Sequence, residues 1–464
     1  MKAPRACHQC RGSKRKCVRP GPGQPCNSCM ERGRKCSAEL QSYPVDPESA
    51  ALSPVCKDKQ AAQSSPSHTR YNNAAGLLWT TTLELVDLYL DMVHHRPHSI
   101  FHPPTLRTQL HEGIVPGALL CAICAIGSKF SPDPDRKVLE ARLTAQAKSL
   151  LQADIENICV ENIQTCILVA TICAGNCQTS SEALFVRIAT SMAEIMNLAS
   201  TDTDGSINTR EIKRRTWWSL YMADHWCFSA LGMPRPTQGL DSSYDLPMDE
   251  ITFHSLLPNH ETPLAQWKPG LWAHMVRLVR FFGPIQDLNR RIAKGDTDIP
   301  ELDKTVESLS QQLEAWSEML PSTAQMTVQN LYYQQQNNLG GPFVTLHLTY
   351  YHYSTLLYFR FLESQNVPSS IYSSYITRCK HHASSFSSLL HLSHQVKGCG
   401  VDYPTIGHMT AVSSSVLVHT LLFGESEELQ KARRELNTNF EALVELLKRW
   451  PATEAMVTTN LPRR

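Results

Sequence analysis

The sequence lacks any strong net charge: 44 Lys and Arg residues face 43 Asp and Glu, a formal +1, so the average composition points to no polyionic partner. Strand signals are scarce as well, because β-branched runs that alternate with polar residues between turn residues are hard to find, and this leaves helices as the main element. No Gly-rich phosphate loop, H-E-x-x-H helix or nucleophile elbow occurs. Without them no residue set is arranged for phosphoryl transfer, metal-assisted hydrolysis or serine catalysis, and the expectation is a protein that is not an enzyme. The N-terminus carries Lys2 and Arg5 but no apolar stretch of signal-peptide type, and the longest apolar runs, such as 118–126, fall short of the ~20 residues a bilayer span needs. These absences predict a soluble, intracellular chain with no membrane partner. The 16 cysteines show no even ladder of disulfide spacings, which fits a compartment where thiols stay reduced.

What is present is unevenly placed. Residues 1–36 hold ten basic side chains and one acid (Glu31), a formal +9 in a chain of total +1, which leaves the remaining residues at −8. A short, strongly basic end on a mildly acidic body is the distribution expected when one module touches a polyanion and the rest does not, and it points to nucleic acid. Six of the cysteines fall in the same segment. Residues 41–76 are rich in Ser, Pro and Ala with no apolar period, and read as a flexible linker. Pro44, Pro47 and Pro54 would interrupt a heptad helix there, so pairing of two chains through a linker coiled coil is not expected.

The six cysteines are spaced Cys7-x2-Cys10-x6-Cys17-x8-Cys26-x2-Cys29-x6-Cys36, two equal triplets joined by a segment with three prolines. One tetrahedral zinc would leave two thiols idle, whereas two zincs have eight ligand places, which six thiolates fill if two of them bridge both metals. The expected cofactor is therefore a pair of Zn2+ ions in a binuclear cluster. Two Zn2+ and six thiolates sum to −2, so roughly +7 of the module's side-chain charge remains for phosphate contacts.

This segment closely resembles the fungal Zn(2)-C6 binuclear cluster family of transcription regulators, on all six cysteines and the basic run Arg11-Gly-Ser-Lys-Arg-Lys16. The resemblance implies that Cys7 and Cys26 bridge the two metals, that Cys10 and Cys17 complete one zinc, and that Cys29 and Cys36 complete the other. It also implies that the helix after Cys10 enters the major groove of double-stranded DNA and reads a CGG-type triplet, chiefly through Lys14. Ser13 stands where the family often carries another cation. Arg11, Arg15, Lys16 and Arg19 are expected to contact phosphates.

From about Leu77 the apolar pattern becomes helical, with Leu83, Val86, Leu90 and Val93 at steps of three and four. Further helices are predicted at 118–130, 136–153, 158–174, 181–199, 209–231, 268–293, 301–319, 341–364, 369–394, 404–422 and 427–448. The fold class is thus a small zinc-stabilised binuclear cluster module followed by a large all-α domain, with domains at 1–40 and 77–450. The segment 211–224, followed by Gly232-Met-Pro-Arg-Pro236 and Asp245-Leu-Pro247, resembles the signature of the fungal-specific transcription factor domain, as does the segment ending His102-Pro-Pro-Thr-Leu106. That resemblance spans roughly residues 83–360 and implies a helical regulatory domain without catalytic chemistry.

Four features of the body have competing uses. Trp217, Trp218 and Tyr221 offer more aromatic surface than one helix face leaves in water, so at least one ring is expected in the core. Lys213, Arg214 and Arg215 read as a solvated, salt-bridged face. Cys121 and Cys124 match C-x2-C but lie in an apolar run, and read as buried, inert thiols. His94, His95, His98 and His102 lack a neighbouring carboxylate at ligand spacing and are assigned surface or packing roles.

Two functions follow. The first is a nuclear, zinc-dependent, sequence-specific regulator of RNA polymerase II genes, such as a metabolic or secondary-metabolite cluster by family habit. A second copy of the chain, a co-regulator protein or a small-molecule effector is expected at its helical body. The alternative is an interaction protein whose zinc module is structural and without DNA selectivity.

Overall fold

The computed structural model describes residues 10, 16–18, 26–30, 32, 75–200, 205–233, 245–256, 268–295, 299–363 and 370–459. The chain divides into two units, Met1–Pro66 and Ser67–Arg464. The linker expected over 41–76 lies outside the described residues apart from Ala75 and Gly76.

The larger unit is built from helices α1 (Trp79–Met92), α2 (Pro103–Glu112), α3 (Gly117–Lys129), α4 (Leu139–Ala153), α5 (Val160–Gly175), α6 (Thr179–Ile195), α7 (Ile207–Leu231), α8 (Glu250–Ser255), α9 (Leu271–Val279), α10 (Phe282–Ala293), α11 (Ile299–Glu318), α12 (Val328–Gln336), α13 (Gly340–Tyr358), α14 (Ser370–Gln395), α15 (Pro404–Phe423), α16 (Ser426–Leu447) and α17 (Ala452–Thr459). No β-strand occurs among the described residues, only an isolated bridge between Met248 and Pro269.

Most helices pack against near neighbours in the chain. In the first half α3 lies against α1, α4 and α5, and α5 against α6. In the second half α13 carries α9, α11, α12 and α14, and α15 pairs with α16. The apolar helices α3, α5 and α13 have most of their side chains buried and contribute to one large continuous core. Gly127 of α3 sits where α1 crosses: a Cβ there would collide with the Leu85 carbonyl, so the close crossing requires glycine. Gly175 at the end of α5 likewise leaves room for the fully buried Trp450 ring, whose Nε1 donates to the Asp402 carbonyl at 2.7 Å.

Local signals set the helix ends. Ser206 caps α7 by accepting from the Thr209 amide at 3.2 Å, and Gly232 ends it in the left-handed region at φ 67°. The helix predicted over 268–293 is two helices. Pro284 has no amide to donate back to the Arg280 carbonyl, and the chain turns at Arg280–Phe281.

Helix α15 corrects one expectation. At 20 residues with a mean hydropathy of 1.4 it is long and apolar enough to cross a membrane, longer than the apolar runs noted in the sequence. In this fold 61% of that stretch is buried. Its hydroxyls are used internally: Thr410, Ser414 and Thr420 each donate to the carbonyl four residues back, and Ser413 donates to the Ala383 carbonyl of α14 at 2.9 Å. Asn439 of α16 donates to Ser414 Oγ at 3.1 Å.

Candidate metal centre and nucleic-acid interface

In the N-terminal unit the chain makes one helical turn, Asn27–Met30, directly after Cys26. The Cys29 and Met30 amides both donate to the Cys26 carbonyl, at 2.9 and 3.0 Å, and this winding is what a C-x2-C pair needs to turn both thiols to one side. The Asn27 amide donates to the Val18 carbonyl at 3.1 Å, tying the start of the second triplet to the end of the first.

The sulfurs of Cys10, Cys17 and Cys26 all lie within 4.8 Å of one another, and Cys10 Sγ is 3.5 Å from Cys26 Sγ. Two thiolates on one tetrahedral zinc, each with a bond of about 2.3 Å, stand roughly 3.8 Å apart, so this donor set suits such an ion. Cys10, Cys26 and Cys29 are buried and Cys17 is half-buried, while Lys16, Val18, Met30 and Arg32 are exposed. Thiols turned inward and a basic residue turned outward suit a metal inside and a phosphate outside. Cys7 and Cys36 lie outside the described residues, as do Arg11, Lys14, Arg15 and Arg19; of the expected DNA contacts only Lys16 is described.

The body organises its polar signature quite differently from a solvated face. Arg215 and Glu211 on α7 are fully buried. The Arg215 guanidinium donates to Glu211 Oε1 (2.8 Å), Ser99 Oγ (2.6 Å) and the Met248 carbonyl (2.6 Å), and lies 4.1 Å from the Phe253 ring centre. Glu211 Oε1 also accepts from the Met248 amide at 3.0 Å, and its Oε2 accepts from Arg214 at 2.6 Å. The reading of 213–215 as an exposed basic stripe is therefore corrected at Arg215: a carboxylate four residues earlier on the same face supplies a buried counter-ion. The Glu250 carboxylate accepts from the Leu271 and Trp272 amides, both at 3.0 Å, and so caps α9; burial raises its pKa, opposed by Arg215 and these amides. Together these contacts hold the 245–256 segment and α9 to α7.

The histidines pack around the same point. His94 Nε2 accepts from the Phe101 amide at 3.1 Å, and His102 Nδ1 accepts from the Thr105 amide at 3.3 Å as the cap of α2. His95 Nε2 meets His254 Nε2 at 2.8 Å. Burial pushes the pKa values of His94, His95 and His102 down, and those of His98 and His254 to about 4, so these rings are neutral packing groups near neutral pH. Trp217, Trp218 and Tyr221 are all buried, in line with the expectation of at least one ring in the core. Cys121 and Cys124 are buried in α3, and burial raises both thiols, Cys121 to about 11. Ser99, Met248 and Glu250 had no signal in the sequence, because their roles arise only when distant segments meet at Arg215.

The model of the fungal specific transcription factor domain matches residues 86–318, half of the chain, inside the span over which the sequence resembles it. A transcriptional regulatory protein of Schizosaccharomyces pombe is 24% identical over 424 residues, covering 76% of this chain and 60% of its own length. A Zn(2)-C6 fungal-type transcription factor of Fusarium oxysporum f. sp. lycopersici is 21% identical over 426 residues, covering 80% of this chain and 44% of its own. A second Schizosaccharomyces pombe transcriptional regulatory protein is 21% identical over 320 residues, 61% of this chain and 33% of its own. The chain thus spans less than two thirds of each of these relatives. With the half-chain match and the cysteine spacing together, the chain belongs to the fungal Zn(2)-C6 transcription factors that carry the fungal specific transcription factor domain.

Proposed function

We propose that the protein is a nuclear, zinc-dependent regulator of transcription that binds double-stranded DNA through residues 1–40 and reads a CGG-like triplet in the major groove. The observation that carries this is the duplicated Cys7–Cys36 spacing with its basic run, in a chain of this family. Cys7, Cys10, Cys17 and Cys26 would hold one Zn2+, and Cys26, Cys29, Cys36 and Cys7 the other. When bound, the metals supply a fixed scaffold for a segment too short to bury a core of its own. Lys14 would present its ammonium to guanine acceptors, with Arg11, Arg15, Lys16 and Arg19 on phosphates. The helical body would receive the regulatory input, from a co-regulator, a second copy or a small molecule.

Zinc content of the purified full chain tests the cluster. The expected ratio is two per chain, falling on Cys26→Ser; one per chain, unchanged by Cys29→Ser and Cys36→Ser, would replace the shared cluster with a four-cysteine site.

A further inference from the structure

Helix α16 packs one face against α14 and α15, where Ala432, Leu436, Asn439, Ala442, Leu443 and Leu446 are buried, and turns the other face outward. Along the outer face Gln430, Arg433, Asn437, Phe440, Val444 and Leu447 recur at steps of three and four, and all six are exposed. The apolar members stand together in the C-terminal half, with Phe440 47% and Val444 54% exposed. Exposed apolar residues are ordinary singly. It is the order of the charges beside them that points to a partner.

One edge of this stripe carries Glu427, Arg434, Glu441 and Lys448 at intervals of seven, all exposed and alternating in sign. The seven-residue interval keeps them in line along the helix. Glu427, Arg434 and Glu441 have no ion-pair partner among the described residues, and Lys448 has only an exposed pair with Glu445. A row that alternates acid, base, acid, base reads as its own complement when it is reversed. Laid beside itself in the same direction, each charge would meet its own kind.

We propose that this face pairs with the same face of a second copy of the chain, the two α16 helices lying antiparallel about a two-fold axis beside Asn437 and Thr438. Under a two-fold axis each contact occurs twice. In this register Arg434 faces the second copy's Glu441 and Glu427 faces its Lys448, while the two Phe440 rings come within about one helical turn of each other beside the axis. The 22-residue helix is about 33 Å long, which makes a contact at the small end of specific interfaces, so pairing is expected at micromolar concentrations. The inference names a second copy as the partner of the helical body. It is measured without DNA, so its failure and the failure of triplet reading are told apart.

The test is sedimentation equilibrium of the full chain without DNA, from about 1 to about 100 µM. The mass is expected to rise from 52.1 kDa toward twice that value. Phe440→Ser should weaken association at least tenfold, since it removes both rings at the axis. Arg434→Glu alone and Glu441→Lys alone each set like charges together at two places and should weaken it about tenfold. Mixing those two variants, or placing both changes in one chain, restores opposite charges and should recover the original association. Glu194→Lys, an exposed charge reversal on α6, should leave it unchanged. Circular dichroism melting checks that each variant is folded, and these surface substitutions are expected to leave the melt in place. A mass that stays at 52.1 kDa throughout, association that either charge reversal on α16 leaves unchanged, or no recovery on mixing would overturn the proposal.

Discussion

Arg215→Ala deletes three hydrogen bonds of 2.6–2.8 Å and a ring contact with Phe253 from a site closed to water. It leaves the Glu211 carboxylate buried with the Met248 amide and Arg214 as its remaining partners. Removing one partner of a buried ion pair costs about 3–5 kcal/mol, because the other charge is stranded. The Ser67–Arg464 unit has about 400 residues, and at about 2.1 cal/mol/K per residue its unfolding entropy is about 0.8 kcal/mol/K. A loss of about 4 kcal/mol then lowers the melting midpoint by about 5 °C. Arg214 is the internal control: its side chain is a quarter exposed and its second partner, Asp245, is 63% exposed, so Arg214→Ala should cost about 1 kcal/mol or less and shift the midpoint by about 1 °C. Arg215→Lys should recover little, since one ammonium cannot reach Glu211, Ser99 and the Met248 carbonyl together. Scanning calorimetry of the three variants is the assay. Equal shifts for Arg214→Ala and Arg215→Ala, or full rescue by lysine, would refute the assignment of the buried fork.

Other outcomes follow from the same packing. Gly127→Ala forces a methyl group into the Leu85 backbone and should cost about 1–3 kcal/mol in chemical denaturation, the usual range for overpacking. Trp450→Ala empties the space beside Gly175 and should cost about 3–5 kcal/mol, read by the same assay. His98, His254, His274, His347 and His382 are held near pKa 4 in the folded chain by burial, against 6.5 when unfolded. The unfolded chain binds more protons between those values, so stability is full above about pH 6.5 and falls as pH drops toward 4. Unfolding at pH 5 should take up on the order of five protons from these groups, measurable from the pH dependence of the unfolding free energy.

Much of the body was legible in the sequence because its helices are long and periodic. The stretches read as 158–174, 369–394, 404–422 and 427–448 correspond to α5, α14, α15 and α16 within two or three residues. Helix α2 was not read, because Pro103 and Pro104 look like breakers; at the first two helical positions they are tolerated, with His102 as cap and Gly113 closing at φ 73°. Helix α12 was missed because only Leu331 and Gln334 are buried on it, too few for a period. The cysteine spacing was legible as a donor set because ligand number constrains it. The Arg215 site was not, since a basic triplet on a helix looks the same whether its last member faces water or a buried glutamate 2.8 Å away.

The central claim is tested most directly by selecting a randomised duplex pool with the full chain, with and without zinc chelation, beside Lys14→Ala. Enrichment of CGG-like triplets that vanishes on chelation and weakens with the lysine change is the outcome the account predicts. Salt-sensitive binding with no enriched sequence, unchanged by Lys14→Ala, would contradict it and leave the zinc module a structural part of an interaction protein.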